Sequence, residues 1–222
     1  MARLARIVVP GIPHHVTQRG NRRQEVFFSD TDYRQYLNFL TQYAGEAGTE
    51  IWAYCLMPNH VHLLLVPHDE AGLHKALQEA HRRYTRFINT RQDWKGYLWQ
   101  GRFASCPMDE AHTLMAARYV ELNPVRAGLV KRPQDWSWSS ARGHLANKDD
   151  GVMRAEALGA LVPNWKDFLA QGLTNDQADR LRAGERTGRP IGARQFIDAL
   201  ESRTGRQLHK GRPGRKSSIA KP

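Results

Sequence analysis

EIWAYCLMPNHVHLLLV, from Glu50 to Val66, reads as two apolar runs on either side of a turn. Glu50–Leu56 has the aromatic and apolar content of a strand. Met57-Pro58-Asn59 interrupts it, because proline has no N–H to give to a ladder. His60–Val66 is a second strand, so the pair predicts a β-hairpin. Residues i and i+2 of a strand project from one face, which puts the imidazoles of His60 and His62 side by side. Two imidazoles so placed can chelate a divalent ion. Two structural histidines, hydrogen-bonded at a sheet end, would satisfy the same pattern.

Working outward, His15–Arg19 reads as a strand closed by Gly20-Asn21. Ser29-Asp30 opens a helix that runs to about Ala47, with Tyr33, Tyr36, Leu37, Leu40 and Tyr43 at helical spacing. Downstream, a helix is expected over about Ala71–Thr90. A fourth strand is expected over Leu98–Cys106, broken at Gly101. A third helix is expected over Asp109–Asn123, capped by Asp109 and stopped by Pro124. The order βαββαβ plus a helix predicts an α+β, ferredoxin-like layer: a mostly antiparallel sheet with helices on one face.

The 222 residues divide unevenly in charge. Lys+Arg is 33 and Asp+Glu 22, for a net +11. Arg180–Pro222 holds twelve Lys/Arg against three Asp/Glu, or +9 of that total. A surplus of this kind attracts a polyanion, nucleic acid above all. A polar turn at Lys148–Gly151 divides residues 1–147 from a small helical extension over 148–202. Trp165, Phe168 and Leu169 would pack that extension on the body. Residues 203–222 read as a basic, disordered DNA-binding tail. Two cysteines without a CxxC support neither a zinc ribbon nor a redox pair. The start, MARLARIVVPGIPHH, lacks a signal-peptide apolar core, and no run is long enough to span a bilayer. The expectation is a cytoplasmic protein with no membrane partner, a monomer or weak dimer, held at the nucleoid through DNA.

Tyr119 and Asn123 lie four residues apart at the end of the third expected helix and so share a face. The Asn carbonyl is a hard oxygen ligand that could complete a His-His-Asn site. The phenol could attack a phosphorus held there. A core tyrosine and a helix-terminal asparagine are the plainer reading, and Pro124 leaves the direction of Asn123 open. Basic residues gather in three further places: Gln18, Arg19, Asn21, Arg22 and Arg23 after the first strand; Arg82, Arg83 and Arg86 on the second helix; and Arg102 in WQGRF. Cations mixed with aromatics suit phosphates and unstacked bases, although Trp99 and Phe103 fit a core equally well. His14, His15 and His68 are assigned structural roles ahead of DNA contact.

Five stretches then resemble one family: HHVTQRGNRRQEVFF, YCLMPNHVHLLLVP, LWQGRFAS, ARYVELNPVRAGLV and DWSWSSARGHL, in the family's order over residues 13–145. The chain resembles the REP-associated tyrosine transposases, a branch of the bacterial single-tyrosine HUH transposases. The resemblance implies the ferredoxin-like, RRM-like HUH fold. It implies His60 and His62 as metal ligands with Asn123 as the third, Tyr119 as the nucleophile, and Mg²⁺ or Mn²⁺ as the only cofactor. It also implies cleavage and rejoining of single-stranded or hairpin DNA, a REP-like palindromic repeat, through a 5′-phosphotyrosine. A non-catalytic hairpin-binding regulator and an HUH replication or conjugation nuclease are the alternatives; intact Tyr119 and histidines speak against the first, the YVELNPVRAGLV and WQGRF contexts against the second. In the tail, Lys210, Arg212, Arg215 and Lys216 of KGRPGRK resemble a minor-groove hook, or else form a flexible polyelectrolyte.

Overall fold

The computed structural model describes residues 6–210. Strands β1 (His14–Arg19), β2 (Thr49–Met57), β3 (His60–Pro67) and β4 (Ala104–Pro107) form one antiparallel sheet in the order β2-β3-β1-β4. Helix α1 (Asp30–Glu46) joins β1 to β2, and α2 (Gly72–Gln92) joins β3 to β4. This is the expected ferredoxin-like α+β arrangement.

The run Leu63-Leu64-Leu65-Val66 is buried throughout, so β3 must be covered on both faces. Leu63 and Leu65 meet Tyr36 and Leu40 of α1 and Leu73, Leu77 and Tyr84 of α2. Leu64 packs instead with Ala116, Ala117 and Val120 of α3 (Glu110–Arg126). Helices therefore lie on both faces, not on the single face expected. An alternating pattern would have left one face wet, and β3 does not alternate. A register slip at Trp52 sets the parity of β2, so that Ala53, Cys55 and Met57 join the α3 side while Tyr54 and Leu56 join the other.

Two elements differ from their expected bounds. The fourth strand spans only Ala104–Pro107, because Gly101 takes φ +59° and turns the chain, leaving Trp99 bridged to Gly20. Helix α3 does not stop at Pro124 but runs through it to Arg126. A proline so near a helix end removes a single backbone bond, and the last turn is closed by Ala127 N–H to the Asn123 carbonyl. Asn123 consequently has helical geometry one turn beyond Tyr119.

Residues beyond 147 divide between clusters: Met153 and Ala155 join the α1–α2 side, Leu158, Trp165, Phe168, Leu169, Ala178 and Leu181 join the α3 side, and Leu200 packs with Ile7 and Val9. Helix α4 (Ala141–Leu145) precedes the turn, and α5 (Glu156–Gly159), α6 (Trp165–Ala170), α7 (Asn175–Thr187) and α8 (Arg194–Thr204) follow it. Trp165, Phe168 and Leu169 are buried against α3, as expected from their apolar character. Fully buried Glu121 organises this corner: it accepts from Ser140 Oγ (2.6 Å) and Trp165 Nε1 (2.7 Å) and pairs with His144 Nδ1 (2.5 Å). A buried carboxylate is tolerated only with such partners. Residues 203–210, expected as disordered tail, are held in place. Leu208 is buried with Ile7, Val9 and Leu200, and Glu201 accepts from the N–H groups of Leu208 and His209. Arg212, Arg215 and Lys216 lie outside the described residues. No helix among the described residues is long and apolar enough to cross a membrane.

Candidate tyrosine and metal site

The site stands on the α3 face of the sheet. Register places Arg19 opposite His60, Thr17 opposite His62 and His15 opposite Leu64, so His15, Thr17, Arg19, His60 and His62 share one face. Tyr119 descends from α3 onto that face. Its ring meets His62 edge-on at 5.5 Å and His15 at 6.0 Å between centroids. The two sequence signals, HVH and YVELN, are thus one cluster in space.

Hydrogen bonds orient the imidazoles. Asn59 Nδ2 donates to the Arg23 carbonyl (3.1 Å), which leaves its Oδ1 to accept from His60 Nδ1 (2.5 Å). The proton on Nδ1 frees the Nε2 lone pair of His60 for a ligand. His62 Nδ1 lies 3.1 Å from His15 Nε2. Burial lowers His15 and His60 to about 4, with Arg19 assisting at His60. Burial, with nearby His60, His15, Arg19 and Arg126, holds His62 well below its ordinary range. All three are neutral at physiological pH, the form in which imidazole binds a metal.

Asn123 is half-buried on α3, and its Nδ2 has no hydrogen-bond partner among the described residues. Neutral imidazoles, with the Nε2 of His60 free, fit a divalent ion of the Mg²⁺ or Mn²⁺ class.

Four residues in the cluster were not legible as site residues from the sequence. His15 is fully buried at the centre. Arg126 holds its guanidinium 4.9 Å from the centre of the Tyr119 ring. Arg182 of α7 lies near the Tyr119 side chain, and Tyr119 and Asp179 together hold its guanidinium above the usual range. Glu185, also on α7, sits 3.7 Å from His15 Nδ1 and 3.9 Å from His62 Nδ1. Burial pushes Glu185 up to about 7 against the opposing pull of Arg19, Arg182 and Arg186. Strand parity could have exposed His15, since it shares its face with Arg19. Nothing local marks the α7 residues.

The expected DNA contacts separate into groups. Arg19 lies in the site, and Asn21, Arg22 and Arg23 form the turn beside it, with Arg22 and Arg23 exposed. Arg102 is exposed just before β4, and Lys210 is exposed past α8. Gln18 points to the other face and is buried, with Nε2 near the carbonyls of Gln100 and Gly101. Arg82, Arg83 and Arg86 are exposed on α2, across the sheet from the site, and Glu79 already pairs with the first two. Trp99 and Phe103 are core, whereas Trp94 and Tyr97 of the same loop are exposed.

A family model described as "Transposase IS200 like" matches residues 8–123. The REP-associated tyrosine transposase of Escherichia coli (strain K12) is 22% identical over 127 residues, covering 57% of this chain and 73% of the relative. A Haemophilus influenzae protein given the same description provisionally is 27% identical over 122 residues, covering 50% and 69%. A solved REP-associated tyrosine transposase bound to a REP hairpin superposes with a TM-score of 0.53 at 22% identity, covering 70% of this chain and 90% of that one. That last likeness is one of fold.

Proposed function

The chain belongs to the IS200-like transposases, and from that membership we propose that it is a metal-dependent nuclease and strand-transferase acting on hairpin or single-stranded DNA through Tyr119. The observation that carries the reading is the meeting of Tyr119 with His62 on one sheet face. His60, His62 and Asn123 would hold the ion. A bound Mg²⁺ or Mn²⁺ would polarise the scissile phosphate and offset its negative charge.

The remaining work falls to the protein. A phenol ordinarily titrates near pH 10 and is a weak nucleophile at neutrality. Guanidinium groups of Arg182 and Arg126 lie near Tyr119, where they can offset the negative charge of the attacked phosphate. Attack forms a bond from the Tyr119 oxygen to phosphorus and breaks the bond from phosphorus to the 3′ oxygen, which leaves and takes a proton. The products are a 5′-phosphotyrosine and a free 3′-OH. The ester is conserved, so a 3′-OH can reverse the step and join a new end. Arg19, Arg22 and Arg23 supply phosphate contacts next to the site, and exposed Trp94 and Tyr97 offer stacking faces for unpaired bases. The solved fold relative holds a REP hairpin, which supports hairpin DNA as the partner here.

The test is a denaturing gel for a covalent adduct with labelled hairpins bearing single-stranded flanks. Wild type with Mn²⁺ is expected to give the adduct; chelator or Tyr119→Phe abolishes it. Tight hairpin binding by both proteins without any adduct would overturn catalysis in favour of a regulatory binder.

A further inference from the structure

We propose that Glu185, from the C-terminal extension, is a direct ligand of a divalent cation, in a seat formed with His15 and His62. The inference rests on the metal-dependent reading above and adds to it a donor set that the family motif does not contain.

Three ligand atoms, one from each residue, lie within 4.8 Å of one another. Glu185 Oε1 stands 3.7 Å from His15 Nδ1 and 3.9 Å from His62 Nδ1, while His15 Nε2 faces His62 Nδ1 at 3.1 Å. Six-coordinate ions with bonds of about 2.1 Å place neighbouring donors about 3 Å apart and opposite donors about 4.2 Å apart, so these spacings need little closing. Buried polar atoms are nearly always satisfied. Here Glu185 Oε1 and His15 Nδ1 are both buried without a hydrogen-bond partner. His15 itself is fully buried, so solvent does not meet the demand. At most one proton can lie between the two facing nitrogens, and it does nothing for the carboxylate. A cation answers the carboxylate and an imidazole lone pair together. Two imidazoles with one carboxylate are a donor set that suits Mn²⁺ and related divalent ions.

The placement of Glu185 has a local cause. Gly184 lies against β4 so closely that an added Cβ would stand 2.4 Å from Ile191 Cδ1 and 3.1 Å from Cys106 Sγ. Its missing side chain lets α7 press on the sheet, and the next residue is thereby delivered to the histidines. Ile191 is itself fixed by backbone bonds to Pro107 and Asp109.

The experiment titrates Mn²⁺ into the full chain by calorimetry and electron paramagnetic resonance, without DNA. It compares wild type, Glu185→Gln and His60→Ala, with Co²⁺ absorption spectra as a readout of the ligand set. Metal-free melting curves establish that each variant is folded. Glu185→Gln is expected to lose more than about 100-fold in Mn²⁺ affinity, beyond the roughly 10- to 100-fold cost of removing an outer-layer partner, and to shift the Co²⁺ spectrum. A smaller loss or an unaltered spectrum overturns ligation by Glu185. If that result accompanies a loss in His60→Ala, the His60/His62 centre survives without the new ligand. Loss in Glu185→Gln with no change in His60→Ala supports the seat and overturns the His60–His62–Asn123 assignment. Absence of Mn²⁺ binding in wild type overturns both.

Discussion

His14 and His15 are neighbours of one residue type with different work, and the difference is strand parity. His14 turns toward the N-terminal segment, where its Nδ1 contacts the Ile12 carbonyl at 2.7 Å and its Nε2 accepts from Val9 N–H. His15 turns to the opposite face and meets His62. Arg182 makes the corresponding case at the nucleophile. Its side chain is about half exposed, and among the described residues its ion pair is with Asp179 at 2.7 Å. Exposed pairs of that kind contribute about 0–1 kcal/mol, so Arg182→Ala should leave the melting temperature within about 4 °C of wild type. Adduct formation should slow by about tenfold, about 1.4 kcal/mol of lost charge stabilisation in a partly wet site. Single-turnover rates on a labelled hairpin measure this. A faster variant would mean instead that Arg182 restrains Tyr119.

At the scale of elements, the legible parts were those whose cause is local. The β2–β3 hairpin follows from two apolar runs around Pro58-Asn59, and α1 and α2 from helical periodicity, so four strands and their succession along the chain could be read. The α3 bounds could not, because whether a proline ends a helix depends on how many bonds remain to be lost beyond it. HVH and YVELN each read as ambiguous alone, and only the meeting of Tyr119 with His62 on one sheet face makes them a candidate site. Helix α7 was hidden more completely. Nothing local in the sequence marks its Glu185, and what brings that residue to the histidines is the glycine contact with Cys106 and Ile191. Gly184→Val should therefore lift α7 from the sheet. The expected result is loss of Mn²⁺ binding and of adduct formation together, with increased amide exchange over residues 175–187 and unchanged protection in β1 and β3. Loss of protection across the whole sheet would show that α7 is needed for folding as such.

The whole molecule carries an acid liability made from its buried histidines. Burial lowers His14, His15 and His60 to about 4 and His81 to about 3, while His62 lies well below its usual value. In the unfolded chain each titrates near 6.5. Below that pH the unfolded state binds protons that the folded state refuses, so stability present above pH 6.5 is lost as pH falls toward 4. Each group can account for at most about 3 kcal/mol over that window, at about 1.4 kcal/mol per pH unit. Glu185 works the other way: its folded value of about 7 lies above its unfolded one, so the fold gains from its protonation as pH falls from 7 to about 4.5. One carboxyl offsets one histidine and leaves several uncompensated. Against a total stability of about 5–15 kcal/mol, cooperative unfolding is expected between pH 6 and 4. Melting temperatures in low-salt buffers from pH 7.5 to 4 should fall steeply once pH drops below 6.5. The site lies within the affected region, so Mn²⁺ binding should fail over the same interval. A melting temperature that stays flat down to pH 4.5 would mean that the histidines are reached by solvent and protonate in the folded state.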